Sequence, residues 1–410
     1  MSSPTTGGPA RVLGAARAHR GLLALSVTVT TSYGVLFYAF PVLAPAITAD
    51  TGWSLAALTA CFSAAQVVAG LTGIAVGRWL HRRGPRPAMT AAAVLAVPAL
   101  AAVASARDLW LFGAAWLVAG TAMAGLFYPP AFAALTRWYD AGRVRALTVL
   151  TLVAGLASTV FAPLTAVLEA SLGWRGAYLA LGGVLVAVVV PLHAFALPRA
   201  WDGTATARGP GGTGHVRAVV GSAAFWALAA ALTAGSLTVY AVVINLVPLL
   251  QERGFDTTTA AWALGAGGVG QVLGRLVYGP LERRTAPVPR ALAVLGACSV
   301  TTLLLALVPG PLGLVMAVAV LAGTARGVLT LLQATAVVDW WGTRDHATLN
   351  GLLHVPVMVA VALAPWAGAA LAGPVGGYPA AFTLLGVLAG VGALAVLASR
   401  PSPVPAPAPS

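Results

Sequence analysis

Arg326 stands near the centre of an apolar stretch, Gly313 to Val338, and no acidic residue inside any apolar stretch of the chain can neutralise it. The nearest acid along the chain, Asp339, is 13 residues away, about 20 Å along a helix. A charge at the middle of a bilayer costs roughly 2.5 kcal/mol or more. An arginine stem of about 6 Å is too short to snorkel the roughly 15 Å from midplane to headgroups. The guanidinium must therefore meet water, main-chain oxygens or a visiting anion. Its planar fork matches a carboxylate in bidentate fashion, so the chemistry expected here is capture of an organic anion, with a carbonyl-bonded structural arginine as the alternative.

Arg326 also heads a polar stripe at helical spacing, continued by Thr330 and Gln333. Similar stripes run through Thr233, Ser236 and Tyr240, through Thr121, Gly125 and Tyr128, and through Tyr33, Phe37 and Phe40. Gln66 and Gln271 are secondary lining candidates. Each of these polar groups has a plainer alternative, an ordinary hydrogen bond between packed helices.

The elements that must carry these residues are membrane helices. Apolar residues make up 59% of the 410-residue chain, charged residues 8%, and the mean hydropathy is +0.89, outside the range of soluble domains. Apolar runs near the roughly 20 residues a spanning helix needs fall at 22–46, 55–77, 88–105, 109–135, 147–168, 176–197, 219–250, 258–281, 291–308, 312–338, 348–371 and 379–398. The expected fold is all-α, with twelve transmembrane helices in two six-helix halves. Pro129-Pro130 should break the fourth span, and Pro356 and Pro365 are flex points in the eleventh.

The net charge of +13 comes from 23 arginines and no lysine. With the N-terminus inside, Arg107, Arg175 and Arg253 fall outside, Arg326 is intramembrane, and the rest gather on the cytoplasmic side. The charge is thus topological, both termini are expected in the cytoplasm, and a nucleic-acid surface is disfavoured. Cys61 and Cys298 lie within apolar spans and read as small fillers rather than a disulfide or metal pair.

The sequence repeats itself at an offset of 202 residues: Gly52 with Gly254, Gly77 with Gly279, Gly125 with Gly327, Trp138 with Trp340, Ala162-Pro163 with Ala364-Pro365. Matches at one offset across several loops imply two related halves. The expected organisation is a tail 1–20, a bundle 21–200, a Gly-rich basic linker 201–217, a bundle 218–398 and a tail 399–410.

After the second span comes Gly77-Arg78-Trp79-Leu80-His81-Arg82-Arg83-Gly84-Pro85-Arg86. It resembles the cytoplasmic loop motif G-x-x-x-D-R-x-G-R-R of the major facilitator superfamily, with His81 at the acid position. A second copy, Gly274-Arg275-Leu276-Val277-Tyr278-Gly279-Pro280-Leu281-Glu282-Arg283-Arg284, keeps an acid at Glu282. The resemblance implies that Gly77, His81, Arg82, Gly84, Arg86, Gly274, Gly279, Glu282 and Arg283 gate alternating access between the halves. It further implies that Arg326, Thr330, Gln333, Tyr33, Tyr128 and Tyr240 line a central cavity. The overall layout is most similar to the monocarboxylate and oxalate/formate carrier branch. The drug-antiporter motif G-P-x-x-G-G is degraded here to Ala162-Pro163-Leu164-Thr165-Ala166-Val167.

The function expected is secondary active transport of a small organic solute, an anion such as a carboxylate, across the cytoplasmic membrane by a multi-pass monomer. Proton-coupled efflux of a hydrophobic compound and a transporter-like receptor are the competing readings. No nucleophile–base pair, metal cluster or phosphate loop argues for an enzyme or a cofactor, and the GxGGxG at Gly265–Gly270 sits inside a span, where helix packing explains it. For proton coupling no Asp or Glu lies deep in a span, leaving His354 and His193 as internal titrating groups, with His81 at the loop.

Overall fold

In the computed structural model, residues 9–139, 142–199, 201 and 213–400 are described. Their helices are α1 (Pro9–Tyr33), α2 (Ala39–Thr51), α3 (Leu55–Arg83), α4 (Pro85–Ser105), α5 (Leu109–Leu126), α6 (Tyr128–Trp138), α7 (Arg143–Ala154) and α8 (Ala157–Val184). These are followed by α9 (Thr213–Val220), α10 (Ala223–Glu252), α11 (Thr257–Arg284), α12 (Pro287–Leu307), α13 (Leu312–Trp341), α14 (His346–Val375) and α15 (Tyr378–Ala395). No strand occurs among the described residues.

Ten helical stretches among the described residues are long and apolar enough to cross a membrane. The difference from twelve has two physical sources. Arg143–Ala196 runs on for 54 residues, although Gly173 (φ 66°, ψ 172°) interrupts the helix within it. α11 is 28 residues long but carries six glycines and three arginines, which lower its hydropathy. Exposed Leu71, Ile74, Leu276, Val277, Val355 and Met358 are the kind of apolar surface that hydrocarbon, not water, tolerates.

Two boundaries follow from local chemistry. The Phe127 backbone is extended (φ −86°, ψ −166°), which separates α5 from α6 just before the expected Pro129-Pro130 break. The seventh span begins at Ala223 rather than 219, because Ser222 caps α10 by accepting the Phe225 N–H at 3.2 Å. The expected linker 201–217 falls mostly outside the described residues; its last residues enter α9, and Trp201 packs on Gly84. The outer residues of both expected tails, 1–8 and 401–410, also lie outside.

The chain divides into two compact units: residues 1–40, 64–157 and 167–205, and residues 41–63, 158–166 and 206–410. In the first, an aromatic core joins Phe40, Phe112, Trp116 and Tyr178, with Phe40 edge-on to Trp116 at 5.4 Å and Trp116 to Tyr178 at 6.2 Å. In the second, Phe225, Leu295, Leu329, Trp340 and Leu353 belong to one core, while the 158–166 segment docks on α11 through Thr159, whose hydroxyl donates to the Gly265 carbonyl at 2.9 Å.

The repeat is visible in packing. Within the first unit a Cβ on Gly120 of α5 would strike the Ala65 carbonyl of α3; within the second, a Cβ on Gly323 of α13 would strike the Gly267 carbonyl of α11. Residues 65 and 267 are one repeat apart, so each unit brings an equivalent helix pair into backbone contact through small residues.

Candidate functional site

The residues around Arg326 are set by a glycine seam. Gly270 and Gly274 of α11 and Gly323 and Gly327 of α13 each lie so close to the facing backbone that a Cβ would collide with a carbonyl of Val320, Thr324, Gly267 or Gln271. This is small-xxx-small packing on both helices, and together with the approach of Ser158 and Thr159 to Gly265 and Gly268 it accounts for the glycine cluster at Gly265–Gly270. The seam puts Gln271 and Arg326 side by side. Asp256 starts α11 as its N-cap, accepting the Thr259 hydroxyl at 2.6 Å and N–H at 2.9 Å. The Thr259 hydroxyl, then its amide, hold the Asp256 carboxyl below the usual carboxylate range.

Arg326 is buried, with 4% of its surface exposed. One terminal nitrogen donates to the Gln271 amide oxygen at 3.1 Å, and its Nε has no hydrogen-bond partner among the described residues. Among the described residues no carboxylate pairs with it. It lines a cavity of about 30 Å³ together with Val242, Gly267, Thr301, Thr302 and Gly323, space for a water molecule or two but not for an organic solute. A neutral amide therefore satisfies part of a fork that keeps donors to spare.

The other predicted residues of this unit are distributed differently. The Gln333 amide donates to Ser236 Oγ at 2.5 Å, tying α13 to α10. Thr330 spends its proton on the Gly327 carbonyl at 2.7 Å, and Thr233 and Ser236 donate to carbonyls one turn back in their own helix. These hydroxyls can accept but have no proton left for an anion. Tyr240 is half-buried beside the α10 core.

In the first unit Tyr33 stacks on Phe127 (4.0 Å, 11°) and meets Tyr128 at 4.9 Å. Tyr128 in turn stacks on Phe132 at 5.1 Å. Phe40 does not continue this stripe: a π-helical turn, Gly34–Tyr38, intervenes and shifts the register, which turns Phe40 into the Trp116 core. Ala124, the repeat equivalent of Arg326, carries no charge and lines a separate cavity of about 260 Å³ with Gly77, His81, Pro130 and Arg137.

At the gating loops, Gly84 has φ +83° and sits under the Trp201 ring, whose Nε1 donates to the His81 carbonyl at 3.0 Å. Arg137 lies over the same ring at 5.4 Å. His81, Arg82 and Arg283 are exposed and Arg86 is half-buried. A Cβ on Gly77 would meet nothing within 4 Å among the described residues, whereas Gly274 belongs to the seam. Gly279 is in ordinary contact range of the Arg283 side chain, and the Glu282 carbonyl accepts from Arg290 at 3.2 Å.

Sequence reasoning missed a polar cluster near these loops. Arg290 on α12 is buried and forms a salt bridge to Asp339, which also accepts the Thr335 hydroxyl at 2.9 Å; Thr335 meets Tyr278 at 2.5 Å. The spacing of Tyr278 seven residues after Gln271, with half-buried Arg275 between, was the available signal. Of the two histidines, His193 is fully buried with Nδ1 on the Met89 carbonyl at 3.1 Å and Nε2 unpartnered, and His354 bonds back to Asn350 at 2.9 Å. Two arginines placed outside by the charge bias cap helix ends: Arg175 donates to Ala106, and Arg253 to Ala306 and Val308.

A two-unit, all-helical chain with glycine-packed helix pairs and an intramembrane cation is the build of a membrane carrier. Residues 25–316 match the family model of the Major Facilitator Superfamily, and the chain belongs to that family. It is 30% identical to monocarboxylate transporter 11 of Homo sapiens over 385 residues, 87% of this chain and 77% of that one. It is 28% identical to monocarboxylate transporter 13 of Bos taurus, covering 91% and 86%. Among solved structures it is similar to an inward-facing, unoccupied bacterial homolog of the human lysosomal transporter Spinster (TM-score 0.77, 17% identity, 95% of this chain and 99% of that chain covered). The protein is thus a multi-pass membrane transporter of a small solute, not an enzyme.

Proposed function

We propose that the protein is a secondary carrier of small organic carboxylates working by alternating access in the cytoplasmic membrane, with twelve crossings and both termini inside. The twelve arise when Arg143–Ala196 counts as two spans divided at Gly173 and α11 counts as one. The observation that carries the reading is a buried Arg326 bonded to a single neutral amide, its Nε unpartnered. A charge kept in hydrocarbon without a counter-ion is tolerated where function requires it. The names of relatives matched along most of the chain support a carboxylate as cargo.

In this reading Arg326 receives the carboxylate, held in aim by Gln271, when the cavity beside it widens. Gln333 and Tyr240 of the same unit contact the remainder of the solute, and Tyr33 and Tyr128 are the candidate lining residues of the first unit. Thr330 lines the site as an acceptor. Gly77, His81, Arg82, Gly84, Arg86, Gly274, Gly279, Glu282 and Arg283 serve the gating loops. Driving force comes from exchange of one anion for another, or from a proton carried on the cargo, since neither needs a carboxylate deep in the membrane.

The test is uptake by proteoliposomes of labelled short monocarboxylates, amines and hydrophobic cations. Wild-type protein accumulates the carboxylates alone, and Arg326→Gln, reconstituted to equal density, does not. Unchanged carboxylate transport by the variant defeats the assignment of Arg326, and accumulation of the cations alone defeats the substrate class.

A further inference from the structure

A cavity of about 530 Å³ opens in the first unit where the turn between α3 and α4 faces the helical turn Leu192–Ala196 and the chain leaving it to Arg199. That volume is in the range of small-molecule sites. Three arginines line it, Arg83, Arg86 and Arg199, together with Thr90 and the apolar Ala91 and Pro198. Arg83 and Arg199 are exposed and Arg86 half-buried. Among the described residues none of the three guanidinium groups has a hydrogen-bond or carboxylate partner.

The shortage of anions is built into the sequence. Residues 83–91 and 194–199, which supply every lining residue of the cavity, contain no Asp or Glu, and the nearest acid along the chain is Asp202. The turn is fixed from the other side: Gly84 takes φ +83° beneath Trp201, which is anchored on the His81 carbonyl. The first turn of α4 adds the positive end of a 21-residue helix. Most of the remaining lining is apolar, Pro85, Pro87, Ala91, Ala194 and Pro198. Beyond it, Phe195 and Val94 on the same two helical segments are 70% and 52% exposed.

We propose that this cavity binds the phosphate of an anionic phospholipid headgroup, with the acyl chains lying along Val94 and Phe195. The chemistry recognised is a phosphate diester held by three guanidinium groups. A free phosphate ester offers the same charge, but it leaves the apolar wall uncovered. The assignment does not depend on the cargo, because no residue of the proposed carboxylate site lines the cavity.

Native mass spectrometry of the full-length protein in a neutral detergent tests it, with dioleoyl phosphatidylglycerol, dioleoyl phosphatidylcholine and glycerol 1-phosphate as probes. Phosphatidylglycerol is retained on the order of 100-fold more tightly than phosphatidylcholine, about five-fold per arginine. R83Q/R86Q/R199Q loses that preference, while R143Q/R145Q/R217Q, with the same loss of net charge, keeps it. Arg199→Gln alone loses about five-fold and Arg199→Lys keeps most of it, which serves if the triple variant does not fold. Equal losses in both triple variants, an unaffected Arg199→Gln, or displacement of the lipid by an equal concentration of glycerol 1-phosphate overturns the proposal.

Discussion

Replacing Arg326 with Gln separates a cargo-binding cation from a structural one, because the two roles predict opposite effects on stability. The wild-type side chain carries a burial cost of roughly 2.5–3.5 kcal/mol at a helix centre. Against it stands one hydrogen bond from a charged donor to the Gln271 amide, a contribution of about 1.5–3 kcal/mol. Removing the charge therefore leaves the fold somewhere between about 2 kcal/mol more stable and about 0.5 kcal/mol less. Transport moves the other way. Losing a buried charge pair with a carboxylate costs roughly 2–5 kcal/mol, a fall in apparent affinity of about 30- to 4,000-fold. Arg326→Lys keeps the charge but not the fork, and lands between. The assays are thermal unfolding of purified protein in one detergent and carboxylate uptake at matched density. If Arg326→Gln unfolds several degrees lower while the surviving protein transports normally, the guanidinium is a structural tie and the reasoning fails.

Three other outcomes test the surroundings. Asp339→Asn strands the buried Arg290 beside Tyr278 and costs about 3–5 kcal/mol, whereas R290M/D339L recovers most of that; a thermal-unfolding double-mutant cycle reads the coupling, and additive losses refute it. Gly323→Ala pushes a methyl into the Gly267 carbonyl and costs about 1–3 kcal/mol as overpacking; Gly296→Ala, which meets nothing within 4 Å, is the neutral control, and equal melting of the two sinks the seam. The Asp256 carboxyl titrates below its unfolded value, so its stabilisation is present above the unfolded pKa and lost as pH falls through the folded one. The melting difference between wild type and Asp256→Asn should therefore shrink as pH drops below the usual carboxylate range, and a difference constant with pH contradicts the assignment.

What the sequence disclosed depended on whether a feature was periodic or pairwise. Span positions, the broken fourth helix and the repeat are one-dimensional patterns, and hydropathy, Pro129-Pro130 and the offset of 202 carried them. Arg326 was conspicuous because a lone charge in a long apolar run is rare. Gln271 reads in the sequence as a secondary lining candidate but not as its partner, since it lies 55 residues away and only the seam of Gly270, Gly274, Gly323 and Gly327 brings the two together. The Arg290–Asp339 pair hid for a related reason. Both residues sit at helix ends, where charge reads as topology, and the fold buries them. Phe40 shows the limit of periodicity itself, because one π-helical turn was enough to rotate a predicted stripe residue into the core.

The two units carry unlike chemistry on like backbones. Each brings a helix pair into backbone contact through small residues, Ala65 with Gly120 and, one repeat on from Ala65, Gly267 with Gly323. Yet where α13 holds Arg326 against a cavity of about 30 Å³, the equivalent position on α5 is Ala124, which lines a roomier cavity of about 260 Å³ with His81 and Arg137. A second such cation would add its own burial cost. Within the second unit Arg326 offers one fork, and a fork of this shape accepts one carboxylate.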